Sequence, residues 1–238
     1  MKGVRTGERM KRGFTLVELL VIIAIVIVLS AATFSALNSA TRAGKQTVCM
    51  GNLRNIGIAL QLHAQENGGA YPLTTHSSTL DRAWIYALEE RLGKFDETRI
   101  CPADPKRKER LTARGTSYIL NSFVFVPSVD AFGRPRGKAM NRPANLIDPT
   151  GTLLAVVCSD MVGSSAGNDH THSERWTSFA AVRRDVATDR HGQGNSQGTK
   201  GSSNYLYADG HVSSISGLRL KNLVESGINP ARPPGWTP

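Results

Sequence analysis

Charge is absent from residues 19–41, cysteine is scarce, and no internal repeat is present. The missing repeat excludes solenoid and propeller architectures. Three cysteines, Cys49, Cys101 and Cys158, allow one intrachain disulfide at most and exclude the densely stapled framework of a small secreted domain. Acidic residues are outnumbered 19 to 29, but part of that excess is local. Residues 1–13 hold Lys2, Arg5, Arg9, Lys11 and Arg12 against Glu8 alone, a net of +4 out of +10. The remaining +6 is scattered, so the composition does not call for nucleic acid as a partner. A length of 238 residues suffices for one sizeable domain and an additional element.

The charge-poor stretch decides the broad class. Residues 14–32 contain a single charge, Glu18. At about 1.5 Å per residue, roughly 20 residues cross a bilayer core of about 30 Å. A membrane span over about 14–37 follows, with lipid as its partner. The basic residues all precede it, so the positive-inside rule predicts a cytoplasmic N-terminus and an external chain beyond Thr41. A cleaved secretory signal is the competing reading, with Ser30-Ala31-Ala32 as its cleavage site. The length of the run and the acid at its front favour the membrane helix.

Helical spacing continues past the span. Cys49, Leu53, Ile56, Leu60 and Ala64 trace one face, while Arg42, Lys45, Asn52, Arg54 and Gln61 fall largely elsewhere. Asn67-Gly68-Gly69 and Pro72 stop the pattern. The expectation is one helix over 14–66, roughly 80 Å long at 1.5 Å per residue. Its second half lays an apolar stripe on a globular domain.

The string RGFTLVELLVIIAIVIVL resembles the processing site of type IV pilin-like proteins, the class that includes type II secretion pseudopilins. A basic leader is followed by Gly13, Phe14, Thr15, Leu16, Glu18 and a long apolar run. The resemblance implies cleavage between Gly13 and Phe14 by a prepilin peptidase, and N-methylation of Phe14. It implies that Glu18, fifth in the mature chain, faces the amine of a neighbouring subunit and fixes the packing register. It also implies other pilin-like subunits and an inner-membrane assembly platform as partners. An acid at the centre of a membrane helix costs about 2.5–3.5 kcal/mol, and less near the start. The helix N-terminus favours negative charge by a few tenths to about 1 kcal/mol.

The remainder, 67–238, reads as an external head rich in β-structure, so the fold class is α+β: a long N-terminal helix on an antiparallel sheet. Residues 79–94 have helical spacing through Leu80, Trp84, Leu88 and Leu92. Residues 116–127 and 151–160 read as strands, and 204–215 as a hairpin turning on Asp209-Gly210. Loops are expected at 161–175 and 192–204, the second Gly/Ser-rich and mobile, and the Pro-rich tail 229–238 should lack regular structure.

A second resemblance lies in the head. Some pilin-like proteins end in His, nine residues, then Asp-Gly. Here His191, Asn204, Asp209 and Gly210 supply a variant, with 17 residues between His191 and Asp209. The text NLRNIGIAL and the mid-chain Cys101-Pro102 also resemble that group. The extra length places an insertion in the Gly/Ser loop and leaves open whether His191 reaches the hairpin.

An external head permits a disulfide, and Cys49 with Cys101 is the favoured pair, although spacing alone does not fix connectivity. Three unpaired buried thiols are the alternative. Other chemistry-bearing patterns carry less. Gly163-Ser164-Ser165-Ala166-Gly167 fits G-x-S-x-G, but no helix is expected after it. His170, His172 and Glu174 alternate as strand ligands would, without a closing ligand. The run PKRKER, 105–110, reads as a solvated loop. A calcium loop would use Asp189 and Asp209, but the surroundings offer too few carboxylates for about six to eight oxygens. The expectation is therefore a non-enzymatic filament subunit of a type II secretion pseudopilus or type IV pilus-like system, with no cofactor or metal. The alternatives are a DNA-uptake or adhesive pilin and a membrane-tethered periplasmic hydrolase.

Overall fold

The computed structural model describes residues 13–75, 83–132, 134 and 136–236. The chain divides into two compact units, 1–41 and 42–238. Helix α1, Leu16–Glu66, contributes to both.

In the first unit, the large apolar side chains of α1 from Leu16 to Leu37 are between 46% and 79% exposed. In the second, the stripe anticipated from spacing is buried: Cys49, Leu53, Ile56, Leu60 and Ala64. Two residues assigned elsewhere also face the head. Asn52 is buried, and Gln61 donates to the Tyr71 hydroxyl and the Ala208 carbonyl at 2.9 and 2.8 Å. Gly68 and Gly69 take φ of +64° and +79°, and Gly69 N–H donates to Ala64 O at 2.8 Å, so the helix stops where its glycines allow.

The sheet has four antiparallel strands in the order β1 (Tyr118–Leu120), β2 (Leu153–Val157), β3 (Ser202–Tyr207), β4 (Val212–Ser216). Alternation sorts its side chains. Tyr118, Leu120, Val157 and Leu206 join the core beneath α1. Ile119, Val156 and Tyr205 join a second core on the opposite face. A register shift between Leu153 and Ala155 breaks the alternation, so Leu154 and Ala155 both enter the first core.

Helices α6 (Phe179–Asp185) and α7 (Gly217–Glu225), which the sequence reading did not anticipate, supply Phe179, Val182, Leu220 and Val224 to the second core. Serine caps both: Ser178 Oγ accepts from Ala181 N–H, and Ser216 Oγ from Arg219 N–H. Other expectations change in detail. The strand expected over 116–127 is strand only at 118–120. Asn121 then caps a short helix, α5 (Ser122–Phe125), accepting from Phe123 N–H at 3.2 Å. The helix expected over 79–94 is a pair of short turns, α2 (Trp84–Ala87) and a 3-10 turn at Glu89–Arg91; Leu80 lies outside the described residues. Helix α3 (Phe95–Thr98) follows.

The Gly/Ser segment runs into β3 at Ser202, and before that it is tied down. Asn195 accepts from Thr199 N–H at 2.8 Å, and Thr188 Oγ1 donates to Gly198 O at 2.7 Å. Described residues of the tail lack helix and strand but pack: Trp236 meets Phe123 edge-on at 4.9 Å, and Asn121 Nδ2 donates to Ala231 O at 2.7 Å.

Candidate functional site

Thr15 and Glu18 begin α1 as a reciprocal cap. Thr15 N–H and Oγ1–H donate to Glu18 Oε2 at 2.9 and 2.7 Å, and Glu18 N–H donates to Thr15 Oγ1 at 3.2 Å. This is the capping-box arrangement of T-x-x-E, which satisfies helix N–H groups that would otherwise lack partners. The sequence reading gave Glu18 a partner in another subunit and missed this local one, although the four-residue spacing announces it. Phe14 is exposed. A Cβ on Gly13 would meet nothing within 4 Å among the described residues, so packing there does not require glycine.

In the head, three distant residues converge. Cys49 comes from α1, Cys101 from the loop after α3, and His191 from a bridge to β3. Their Sγ, Sγ and imidazole donor atoms lie within 4.8 Å of one another, and all three residues are buried. Cys101 Sγ stands 3.9 Å from His191 Nε2, and the Tyr118 hydroxyl donates to Cys49 Sγ at 3.5 Å. Asn52, one turn beyond Cys49, donates to the carbonyls of Glu97 and Ile100 at 3.0 and 3.2 Å, which holds the chain leading into Cys101. His191 is placed by two backbone bonds with Ser202, at 2.9 and 2.8 Å. The thiols are unbonded. The hydrogen bond from Cys101, aided by His191 and Tyr118, lowers the Cys49 thiol against burial, while Cys101 is pushed up. Cys158 lies apart on the second core, and burial raises its thiol to about 12.

The C-terminal residues divide into separate roles. Gly210 takes φ +90° and donates to Tyr207 O at 3.0 Å, with Tyr207 N–H on His211 O at 3.0 Å. The connection is longer than the two-residue turn expected: Ala208 and Asp209 form its centre and Gly210 supplies the positive φ. Asp209 accepts from His211 N–H at 3.1 Å and contacts its Nδ1 at 2.6 Å. Asn204 Nδ2 donates to Gln46 O on α1 at 3.3 Å. The side chains of His191 and Asn204 thus face Cys101 and α1, not the turn, and His191 reaches β3 through its backbone.

Asp189 accepts from Asn195 N–H at 3.0 Å. Neither it nor Asp209 joins a group of metal-competent donors among the described residues. His170 contacts Asp169 at 2.6 Å while the exposed His172 pairs with Glu174 at 3.9 Å. A 3-10 turn at Ser173–Arg175 keeps His170, His172 and Glu174 off one strand face. Ser164 donates to Glu109 at 2.6 Å and Ser165 Oγ accepts from Asn168 at 2.9 Å, with no helix starting after Gly167. The basic run 105–110 is largely solvated as expected, but it is helical from Arg107 and its last residue is buried. Arg110 lies on α4 (Arg107–Thr112), fully buried against Asp104 at 2.8 Å.

No curated protein matches the chain, and no solved structure matches it. Residues 9–34 match the family model of the prokaryotic N-terminal methylation motif. That stretch holds Gly13, Phe14, the Thr15–Glu18 cap and most of the exposed apolar run, on the single helix among the described residues long and apolar enough to cross a membrane. The motif implies membrane anchoring, processing by prepilin peptidase and assembly with other pilin-like subunits. The chain thus carries, at residues 9–34, the hallmark of the type IV pilin and pseudopilin precursors.

Proposed function

We propose that the protein is a structural subunit of a type II secretion pseudopilus or a type IV pilus-like filament. The observation that carries this reading is the exposed apolar surface of residues 16–37, placed directly after the methylation site. Apolar surface of that extent needs lipid before assembly and neighbouring helices after it. In this reading the basic residues 1–13 hold the N-terminus in the cytoplasm, and the head lies outside. Prepilin peptidase cuts between Gly13 and Phe14, and the Phe14 amine is methylated. An inner-membrane platform then moves the subunit into the filament, where Glu18 faces a neighbour's amine.

Expression with and without a prepilin peptidase, followed by intact-mass and N-terminal analysis, tests the first step. The expected mature chain begins at N-methyl-Phe14. A mature start after Ala32, or an uncut chain in the presence of the peptidase, overturns it.

A further inference from the structure

We infer that Cys49, Cys101 and His191 form a buried three-ligand site for a thiophilic divalent cation, with zinc as its natural probe and the fourth tetrahedral position left to a non-protein ligand. The donor set is the first support: two sulfurs and an imidazole nitrogen are the ligand types that zinc selects. Geometry is the second. With Zn–S near 2.3 Å and Zn–N near 2.0 Å, tetrahedral angles place the sulfurs about 3.8 Å apart and sulfur from nitrogen about 3.5 Å. The observed Cys101 Sγ to His191 Nε2 separation is 3.9 Å, and all three donors lie within 4.8 Å of one another. A disulfide asks for a sulfur separation near 2.0 Å and gives the histidine no part. Here both thiols are unbonded and the imidazole reaches the same point.

Charge is the third support. Two thiolates and one neutral imidazole around a divalent cation sum to zero, which suits a site where all three residues are buried. The surroundings hold the ligands in place. Tyr118 donates to Cys49 Sγ, Asn52 fixes the chain before Cys101, and the Ser202 ladder fixes His191. Such a site joins the second half of α1 to the loop after α3 and to the approach to β3, three parts of one unit that are far apart in sequence. This inference does not depend on the filament reading.

The test uses the full chain, purified in detergent without reductant or chelator and then exposed to zinc or cobalt(II). Metal content by mass spectrometry should show stoichiometric zinc, and cobalt should give thiolate charge-transfer absorption. Cys101→Ser and His191→Gln should lose the metal and the absorption, while Cys158→Ala keeps both. Tyr118→Phe leaves all three ligands and should weaken zinc binding by about 10- to 100-fold, as loss of an outer partner does. Chelation should lower the melting temperature of the parent chain, since a ligand of the folded state stabilises it. A Cys49–Cys101 disulfide, found as thiols that fail to react after unfolding, overturns the proposal. So does a protein with reactive thiols that takes up no zinc, or a Cys101→Ser variant that melts normally and still binds it.

Discussion

Arg110 sits in the head with its charge wholly enclosed. Its guanidinium donates to Asp104 at 2.8 Å, to Gly163 O at 2.9 Å, to Ser159 O at 3.1 Å and to Val162 O at 3.4 Å. Arg110→Met keeps much of the side-chain volume and removes all four bonds. Breaking a buried pair on one side costs about 3–5 kcal/mol, because the partner charge stays buried without its counterion. Asp104 keeps the Ser117 hydroxyl at 2.6 Å and the Lys106 N–H at 2.8 Å, which places the loss near the lower end, about 3 kcal/mol. For a unit of this size each kcal/mol shifts the midpoint by about 2–4 °C, so the melting temperature should fall by roughly 6–12 °C. Tryptophan fluorescence during thermal unfolding of the chain in detergent reads this directly, since Trp84 and Trp176 are buried in the two cores. Adding Asp104→Leu removes the uncompensated charge and should restore more than half of the loss. A single variant that melts within about 2 °C of the parent, or a double variant worse than the single, refutes the reasoning.

Glu18→Gln preserves the capping arrangement and removes the charge, whereas Glu18→Ala removes both. Both should insert in membranes and fail to enter filaments; normal assembly of the Gln variant would assign Glu18 to capping alone. A Cβ at Gly210 meets no neighbour within 4 Å, so the main cost of Gly210→Val is the positive φ of +90°, about 1–2 kcal/mol of stability by thermal unfolding. Gly217→Ala is expected to cost more, about 1–3 kcal/mol, because its Cβ would lie 2.0 Å from Gly198 O at the start of α7; an unchanged melting temperature would show that this contact relaxes freely.

The parts of the fold legible in sequence are those where one local interaction decides the outcome. The Cys49–Ala64 stripe is readable because a helix packed on one side must bury every third or fourth residue, and the structure buries all five predicted positions. The Gly210 turn is readable because positive φ is costly for other residues. Residues 116–127 show what hides. Their apolar run fits a strand, but Asn121 is a helix cap, and its amide also donates to Leu153 O and Ala231 O at 2.8 and 2.7 Å. A competent cap and two partners from distant segments outweigh β-propensity, and only the cap was visible locally.

The two candidate sites differ in the same way. At the N-terminus, cleavage site, cap and span lie in consecutive residues, so the text from Gly13 onward contains its own context. The Thr15–Glu18 cap adds a constraint to that text: the acid serves its own helix before any neighbour arrives, and Thr15 already occupies Oε2, so a role in assembly falls first to the other carboxylate oxygen. The cysteine pair was legible as a pair, since Cys49 lies on the buried stripe and Cys101 opens a loop. His191 was not legible as the third member. Its signature pointed toward the Asp209–Gly210 turn, whereas the strand pairing with Ser202 turns the imidazole to the opposite neighbour, Cys101. Sheet register, not sequence spacing, therefore decides what this histidine meets, and the chemistry of the cluster follows from the topology that assembles it.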